Sequence, residues 1–264
     1  MSHKMNRRDS MYSYYGKLST EVYDFTKPVG YSLHGDIEYY LERLKEVEGK
    51  ILEAGVGSGR FLIPLLENDF EVDGIDYSPS MLASCRKRCE ERNLITNLHE
   101  GVLSDFSLES RYAAIVIPTG SFGLIEQRDE AKNALQCFYE HLNVGGRVLI
   151  DLVFPTDWTT GKVSTNAYEI SPVEGITLEN HSVEIDWINQ WTLSYLKYEK
   201  WRKGKLVETE LQKLVLRWYG VTEFQLLLEE IGFTDVTYSA DYTYQKQPSK
   251  TSSILTFEGT RSKK

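Results

Sequence analysis

The chain of 264 residues has 30 lysines and arginines against 39 aspartates and glutamates, so its formal net charge at pH 7 is −9. This acidic balance argues against a nucleic-acid partner, because nucleic-acid-binding surfaces concentrate positive charge. The sequence has no stretch near the roughly 20 apolar residues that span a bilayer, and its polar N-terminus lacks the apolar core of a signal peptide. We therefore expect a cytoplasmic globular protein that binds neither nucleic acid nor membrane.

Three cysteines, Cys85, Cys89 and Cys137, cannot all pair with one another. They have no further cysteine or histidine at metal-ligand spacing, which argues against a metal site. We therefore expect reduced structural thiols and no bound metal.

The first 35 residues, numbered 1–35, are rich in tyrosine and are interrupted by Pro28 and Gly30. We interpret them as a lid segment that packs over the rest of the chain. Apolar residues then recur with helical spacing over 36–47, and Asp36 is predicted to be the N-cap of this helix.

Strands and helices alternate over 50–155. The pattern predicts strands over 50–54, 71–76, 96–102, 112–117 and 147–154, with helices over 60–68, 79–93 and 128–142. Pro79 suits the first turn of the second helix. This alternation is typical of βαβ units, which form a parallel sheet buried on both faces.

The pattern changes after Pro155. Residues 156–218 contain strand-like runs from Tyr168 onwards, with a hairpin turn predicted at 202–205, so we interpret them as an antiparallel β cap. A helix then begins with a predicted capping box at Thr222 and Gln225, and two strands complete the chain. We predict one sheet domain formed by 36–155 and 219–264, with the cap inserted at 156–218.

The most specific motif is Ile51–Phe61, which reads ILEAGVGSGRF and joins a strand to a helix through three alternating glycines. A strand, a glycine-rich turn and a helix N-terminus in this order form a nucleotide-binding motif. A dinucleotide fingerprint needs a glycine where this chain has Arg60, and the ending of a phosphate-binding loop is absent. Asp76 ends the next strand, 21 positions after Gly55, where a carboxylate accepts ribose hydroxyls. The motif therefore predicts a site for a nucleoside without phosphate.

The combination of EAGVGSGRF at 53–61 with GIDYSPSML at 74–82 resembles the class I S-adenosylmethionine-dependent methyltransferases. The segments YAAIVIPTGSFGLI, LNVGGRVLIDLVFP and TEFQLLLEEIGF add to the resemblance. It implies an α/β fold with a Rossmann-like, doubly wound, mostly parallel seven-stranded sheet and an antiparallel β cap inserted before the last helix. The insertion is similar to that of small-molecule members such as the aminosugar and glycine-type N-methyltransferases. The implied cofactor is S-adenosyl-L-methionine, and the product is S-adenosyl-L-homocysteine.

The resemblance also implies which residues hold the cofactor. The glycine loop would wrap the methionyl part, Asp76 would hold the ribose, and Tyr77 with Met81 would cover the adenine or ribose. In similar enzymes tyrosines of the N-terminal segment touch the methionine carboxylate. The predicted cofactor-binding residues are Tyr15, Tyr23, Glu53, Ala54, Gly55, Gly57, Arg60, Asp76, Tyr77, Met81, Val102, Leu103, Ile117 and Pro118.

Two of these positions leave alternatives open. Arg60 pairs either with a carboxylate elsewhere or with Glu53. Many family members have an aspartate where this chain has Val102, so Ser104, Asp105 or a water would have to contact the adenine amino group instead.

Methyl transfer from a sulfonium requires alignment and exclusion of water, and it needs no strong catalytic residue. An amine acceptor must lose a proton before attack, so a nearby base would help. The candidates for this role are Tyr15, His34 and His181. Ligands of open α/β sheets bind at the carboxyl ends of the strands, which predicts that Ser121 and Phe122 face the acceptor. Trp191 of the cap is a further candidate, because an aromatic ring binds a cationic amine.

We therefore predict a methyltransferase that acts on a nitrogen or oxygen of a small polar acceptor, as a monomer or a homodimer. The alternative is a non-catalytic regulatory protein that binds the same cofactor. An NAD(P)-dependent oxidoreductase is disfavoured by Arg60, and nucleic-acid methylation is disfavoured by the acidic charge.

Overall fold

The computed structural model describes residues 11–262, so residues 1–10 of the predicted lid and residues 263–264 lie outside the described part. The helices are α1 (Lys17–Thr26), α2 (Asp36–Leu44), α3 (Leu62–Glu67), α4 (Pro79–Glu90), α5 (Arg128–His141) and α6 (Val221–Ile231). The strands are β1 (Ile51–Ala54), β2 (Val72–Asp76), β3 (Leu98–Glu100), β4 (Tyr112–Ile117), β5 (Leu142–Val153), β6 (Val163–Ser171), β7 (Glu174–Asp186), β8 (Trp191–Arg202), β9 (Lys205–Arg217), β10 (Phe233–Ala240) and β11 (Ile254–Arg261). A 3₁₀ turn, Pro118–Leu124, follows β4.

Seven strands form one sheet in the order β10-β11-β5-β4-β1-β2-β3. β1 pairs in parallel with β2 and β4, whereas β11 runs antiparallel to both β5 and β10. The chain order reverses between β1 and β4, and open α/β sheets bind ligands at this kind of switch point. The predicted α/β class and the mostly parallel seven-stranded sheet are confirmed.

Successive residues of β1 point to opposite faces of this sheet. Leu52 packs with α5 and α6 on one face, and Ile51 packs with α2, α3 and α4 on the other. Because both faces are buried, the central strands are apolar without alternation. The same geometry sends Glu53 to the face of the sheet that α2 covers.

A second, antiparallel sheet with the order β6-β7-β8-β9 forms the cap. β6 begins at Val163, before the first strand-like run in the sequence at Tyr168. Most side chains of β6 are exposed, so its apolar signal is weak. The predicted hairpin at 202–205 joins β8 to β9. Leu18 and Val22 of α1 pack against this sheet.

The predicted capping box of the last long helix is wrong. α6 begins at Val221, and the N–H of Gly220 donates a hydrogen bond to Glu223 Oε2 at 2.9 Å. Thr222 and Gln225 therefore lie inside the helix, and the side chain that caps its N-terminus is that of Glu223.

Cys85 and Cys89 are buried and Cys137 is half-buried, all three as free thiols. Within residues 11–262, no three side chains of His, Cys, Asp or Glu group closely enough to hold a metal ion. The described helices are too short or too polar to cross a membrane.

Candidate active site

The glycine loop between β1 and α3 has the left-handed backbone that its sequence predicts. Gly55 has a φ of 80°, and a Cβ there would lie 3.1 Å from the Cβ of Ser121. Gly59 has a φ of 82°, and a Cβ there would lie 2.7 Å from the Sγ of Cys85. Both positions therefore require glycine, the first because of the turn after β4 and the second because of α4.

Asp76 ends β2 with its carboxylate held by two backbone N–H groups. Oδ2 accepts a hydrogen bond from Gly57 and Oδ1 accepts one from Ser78, both at 2.8 Å. Ser78 Oγ accepts the N–H of Met81 at 3.1 Å and precedes Pro79, which confirms the predicted start of α4. Burial raises the pKa of the Asp76 carboxyl, while the two N–H donors lower it. Each carboxylate oxygen has a second lone pair, so Asp76 has the capacity to accept two hydroxyl groups.

A cleft of about 260 Å³ opens at the carboxyl ends of β1, β2, β3 and β4. The lid, the loops that follow these strands and β9 of the cap bound it. The predicted site residues that line it are Tyr15, Tyr23, Gly55, Gly57, Asp76, Tyr77, Met81, Val102, Leu103 and Ser121. The fold thus brings positions that are distant in the sequence to one cavity.

The cleft also has a wall that the sequence analysis missed. Leu124 and Ile125 after β4, Leu214 and Leu216 of β9, and Glu130 of α5 form it. Leu214 and Leu216 share one face of β9, because alternate residues of a strand point the same way. The other lining residues outside the predicted set are Tyr14, Lys27, Leu33, Gly101, Ser104, Thr119 and Gly120.

The lid is anchored on both sides of the cleft. The carbonyl of Tyr15 accepts a hydrogen bond from Ser78 Oγ at 2.6 Å, and Asp24 pairs with Arg88 of α4 at 3.0 Å. On the cap side, the carboxylate of Glu210 accepts the N–H of Leu18 at 2.9 Å. The lid therefore bridges α4 and the cap across the cleft.

Burial raises the pKa of both cleft tyrosines, Tyr15 and Tyr23. A hydroxyl with a raised pKa stays protonated near neutral pH and donates a hydrogen bond. Tyr15 lines the cleft and is therefore suited to hold an anionic group, and its predicted role as a base stays a prediction.

Arg60 pairs with Asp36 and does not line the cleft. Its Nη2 lies 2.6 Å from Asp36 Oδ2, and its Nη1 donates to the carbonyl of Tyr31 at 2.7 Å. The two charged side chains are 3% and 0% exposed. The partner of Arg60 is therefore the carboxylate of Asp36 rather than Glu53. Asp36 is also the first residue of α2 and not its N-cap, which is Gly35.

Glu53 lies beneath the glycine loop rather than in the cleft. Burial raises the pKa of its carboxyl well above the usual range, although Arg60 lowers it. Its Oε2 is buried without a hydrogen-bond partner among the described residues. Burial therefore favours the neutral form of Glu53.

Several predicted residues lie behind the cleft. Ala54, Ile117 and Pro118 are buried. Phe122 is also fully buried, with its ring centroid 5.4 Å from that of Phe224, because the 3₁₀ turn directs its side chain into the core. The prediction that Phe122 faces the acceptor is wrong.

Trp191 and the two candidate histidines lie away from the cleft. Trp191 pairs with Arg217 of β9 and shares its face of the cap sheet, whereas Leu216 lines the cleft from the opposite face. His34 and His181 are exposed and are not among the cleft residues. Trp191 is therefore not placed to contact an acceptor in this cleft, and His34 and His181 are not placed to act as its base, so these predictions are corrected.

Val102 remains at the cleft with 41% of its surface exposed. Ser104 lines the same cleft, whereas Asp105 does not. Of the two side chains considered as replacements for the missing aspartate, Ser104 has the suitable position.

A buried carboxylate lies below the turn that follows β4. Asp151 of β5 accepts hydrogen bonds at Oδ1 from Tyr40 at 2.9 Å and from Thr256 at 2.6 Å. Its Oδ2 accepts the N–H of Thr119 and the hydroxyl of Tyr242, both at 2.7 Å. Burial raises the pKa of Asp151 to about 6, although these donors lower it.

The raised pKa of Asp151 predicts how stability depends on pH. The folded-state pKa of Asp151, about 6, lies above its ordinary value of 3.8. The protonated side chain therefore stabilises the folded state fully below pH 3.8, and this contribution is lost as the pH rises through about 6. This shift corresponds to about 3 kcal/mol of unfolding free energy. Urea unfolding across this pH range should show the loss in the wild type but not in Asp151→Asn. Equal pH dependence in the two proteins would contradict the assignment.

Comparison with known proteins identifies the class. Residues 51–146 match the family described as a methyltransferase domain. The sugar N-methyltransferase KedS8 from Streptoalloteichus has a similar fold, with 23% identity, a TM-score of 0.73 and coverage of 95% of this chain and 97% of that chain. These findings show an S-adenosylmethionine-dependent methyltransferase, and its fold is similar to that of the class I enzymes.

Within this class the chain is similar to aminosugar N-methyltransferases. It is 28% identical over 187 residues to the dTDP-3-amino-3,6-dideoxy-alpha-D-glucopyranose N,N-dimethyltransferase of Streptomyces fradiae, covering 69% of this chain and 71% of the relative. It is 30% identical over 117 residues to the dTDP-3-amino-3,4,6-trideoxy-alpha-D-glucopyranose N,N-dimethyltransferase of Streptomyces venezuelae, covering 44% and 48%. The predicted family and enzyme class are confirmed.

Proposed function

We propose that the protein transfers a methyl group from S-adenosylmethionine to the nitrogen of an aminosugar or a similarly small polar amine. The observation that supports this most directly is the cleft in which Asp76 presents a buried carboxylate beside the glycine loop. The names of two relatives, both N,N-dimethyltransferases of dTDP-linked amino-deoxysugars, favour nitrogen over oxygen as the acceptor atom.

In this proposal the cleft residues hold successive parts of the cofactor. Asp76 accepts hydrogen bonds from the ribose hydroxyls, and Tyr77 with Met81 packs against the adenosine. The glycine loop contacts the methionyl end. Tyr15 and Tyr23 donate hydrogen bonds to its carboxylate, because both line the cleft and a tyrosine hydroxyl is protonated near neutral pH.

When bound, the cofactor supplies an activated methyl group on sulfur. The protein has to align the acceptor with this group and exclude water. The lid is suited to exclude water because it joins α4 to the cap over the cleft. The turn after β4 and the apolar wall of the cleft are suited to position the acceptor.

Glu130 is suited to hold the acceptor amine. It lines the cleft beside the apolar wall of Leu124, Ile125, Leu214 and Leu216. The structure shows no hydrogen-bond or ion-pair partner for Glu130 among the described residues. A carboxylate on an apolar wall attracts an ammonium group and accepts a hydrogen bond from it, so Glu130 would orient the amine and assist its deprotonation.

Replacing Glu130 by glutamine is expected to lower kcat/KM for an amine acceptor by about tenfold, the effect of losing one charged hydrogen bond. Steady-state kinetics at fixed cofactor concentration would measure this. The control is Asp129→Asn, because Asp129 precedes Glu130 on α5 but does not line the cleft. Equal kinetics for Glu130→Gln and the wild type would exclude Glu130 from the acceptor site.

The proposed acceptor class is tested by a screen with S-adenosylmethionine that carries a labelled methyl group. Paired acceptors would differ only in an amino or a hydroxyl group on the same sugar. We expect label on the amino compounds and none on their hydroxyl partners. Label only on hydroxyl compounds, or on none despite cofactor binding, would contradict the proposal.

A further inference from the structure

The turn that forms the floor of the cleft has a strained backbone. Thr119 has a φ of 54° and Gly120 has a φ of 80°. A β-branched residue rarely adopts positive φ, and such a conformation persists only where the surroundings enforce it. The Cβ of Ser121 lies 3.1 Å from the position that a Cβ on Gly55 would occupy. The shape of this turn therefore sets the space beside the glycine loop.

The side chain that contacts the strained backbone is Asp151. Its Oδ2 accepts the N–H of Thr119 at 2.7 Å, so the strained residue is tied directly to β5. Tyr40 from α2, Tyr242 from the loop after β10 and Thr256 from β11 donate to the same carboxylate. An ionised carboxylate only accepts hydrogen bonds, so it suits a position where all four partners are donors.

We propose that Asp151 is a positioning residue for the cofactor cleft, which holds Thr119 in its left-handed conformation and thereby fixes the floor beside Gly55. The proposal rests on the proposed use of this cleft for S-adenosylmethionine. Asp151 does not line the cleft itself and acts through the turn. A contribution to folding alone would not need a buried charge, because burying one has a free-energy cost that an apolar side chain avoids.

The test measures the dissociation constant of S-adenosylhomocysteine by calorimetry at 25 °C, together with the melting temperature of each protein. Asp151→Asn is expected to raise the dissociation constant by about tenfold or more, since it disturbs the bond to Thr119. Tyr40→Phe and Tyr242→Phe each remove one donor and are expected to raise it about threefold.

The matched control is Tyr39→Phe. Tyr39 precedes Tyr40 on α2 and is also buried, but its hydroxyl donates to Glu258 at 3.2 Å and not to Asp151. We expect its dissociation constant to match that of the wild type even if its melting temperature falls.

Three outcomes would overturn the proposal. One is binding within twofold of the wild type in folded Asp151→Asn. If that variant does not fold, binding within twofold of the wild type in both Tyr40→Phe and Tyr242→Phe overturns the proposal. The third outcome is a loss of affinity in Tyr39→Phe as large as that in Tyr40→Phe and Tyr242→Phe. Failure of the wild type to bind S-adenosylhomocysteine would instead contradict the proposed use of the cleft.

Discussion

Replacing Asp76 by alanine is expected to weaken the binding of S-adenosylhomocysteine by about a hundredfold or more. Each hydrogen bond to a charged group contributes about 1.5–3 kcal/mol, and the ribose has two hydroxyls to donate. The substitution also removes the acceptor for the N–H groups of Gly57 and Ser78, which loosens the glycine loop and the start of α4. Calorimetric titration of the two proteins measures the difference.

The control for this prediction is Asp73→Ala. Asp73 lies on the same strand, β2, and is 3% exposed. Its carboxylate contacts Asn97, Tyr112 and Lys50, away from the cleft. This variant is expected to lose stability and keep its affinity for S-adenosylhomocysteine. Retained affinity in Asp76→Ala would exclude the ribose assignment.

Replacing Arg60 by alanine is expected to lower the free energy of unfolding by about 3–5 kcal/mol, because it leaves the buried carboxylate of Asp36 without its charged partner. The two side chains are 3% and 0% exposed, so water cannot replace the lost bond. Urea unfolding monitored by tryptophan fluorescence would measure the change.

The matched control removes a cation from an exposed pair. Lys132 and Glu230 pair at 2.6 Å with side chains 49% and 60% exposed. Lys132→Ala is expected to cost less than about 1 kcal/mol. The double variant Asp36→Leu/Arg60→Met should recover most of the stability lost in Arg60→Ala, since it removes both buried charges. A loss in Arg60→Ala no larger than that in Lys132→Ala would contradict this account of the pair.

The parts of the fold that the sequence predicts correctly depend on local chemistry. The glycine loop needs positive φ at Gly55 and Gly59, and Ser78 followed by Pro79 begins a helix with its own hydrogen bond. Asp76 follows from its place at the end of a strand. The positive φ of the loop, the N-cap bond and the strand end depend on neighbouring residues, so they are readable without the tertiary structure, whereas the close approach of Ser121 to Gly55 and of Cys85 to Gly59 is not.

The errors concern the direction of a side chain in the assembled fold. Phe122 follows β4 as predicted, but the strained turn sends it into the core. Trp191 lies on the cap as predicted, but its strand parity places it on the face opposite to the one that lines the cleft. Asp36 has the sequence signature of an N-cap, but a partner 24 positions away, Arg60, takes its carboxylate. Such choices depend on distant contacts that local patterns do not contain.

A crystal structure of the protein with S-adenosylhomocysteine would show most directly where the cofactor binds. We predict that both ribose hydroxyls contact the carboxylate of Asp76 and that the homocysteine carboxylate lies beside Tyr15 and Tyr23. The sulfur should point towards Ser121, with open space between it and Glu130. A ligand bound outside this cleft, or a ribose directed away from Asp76, would contradict the account.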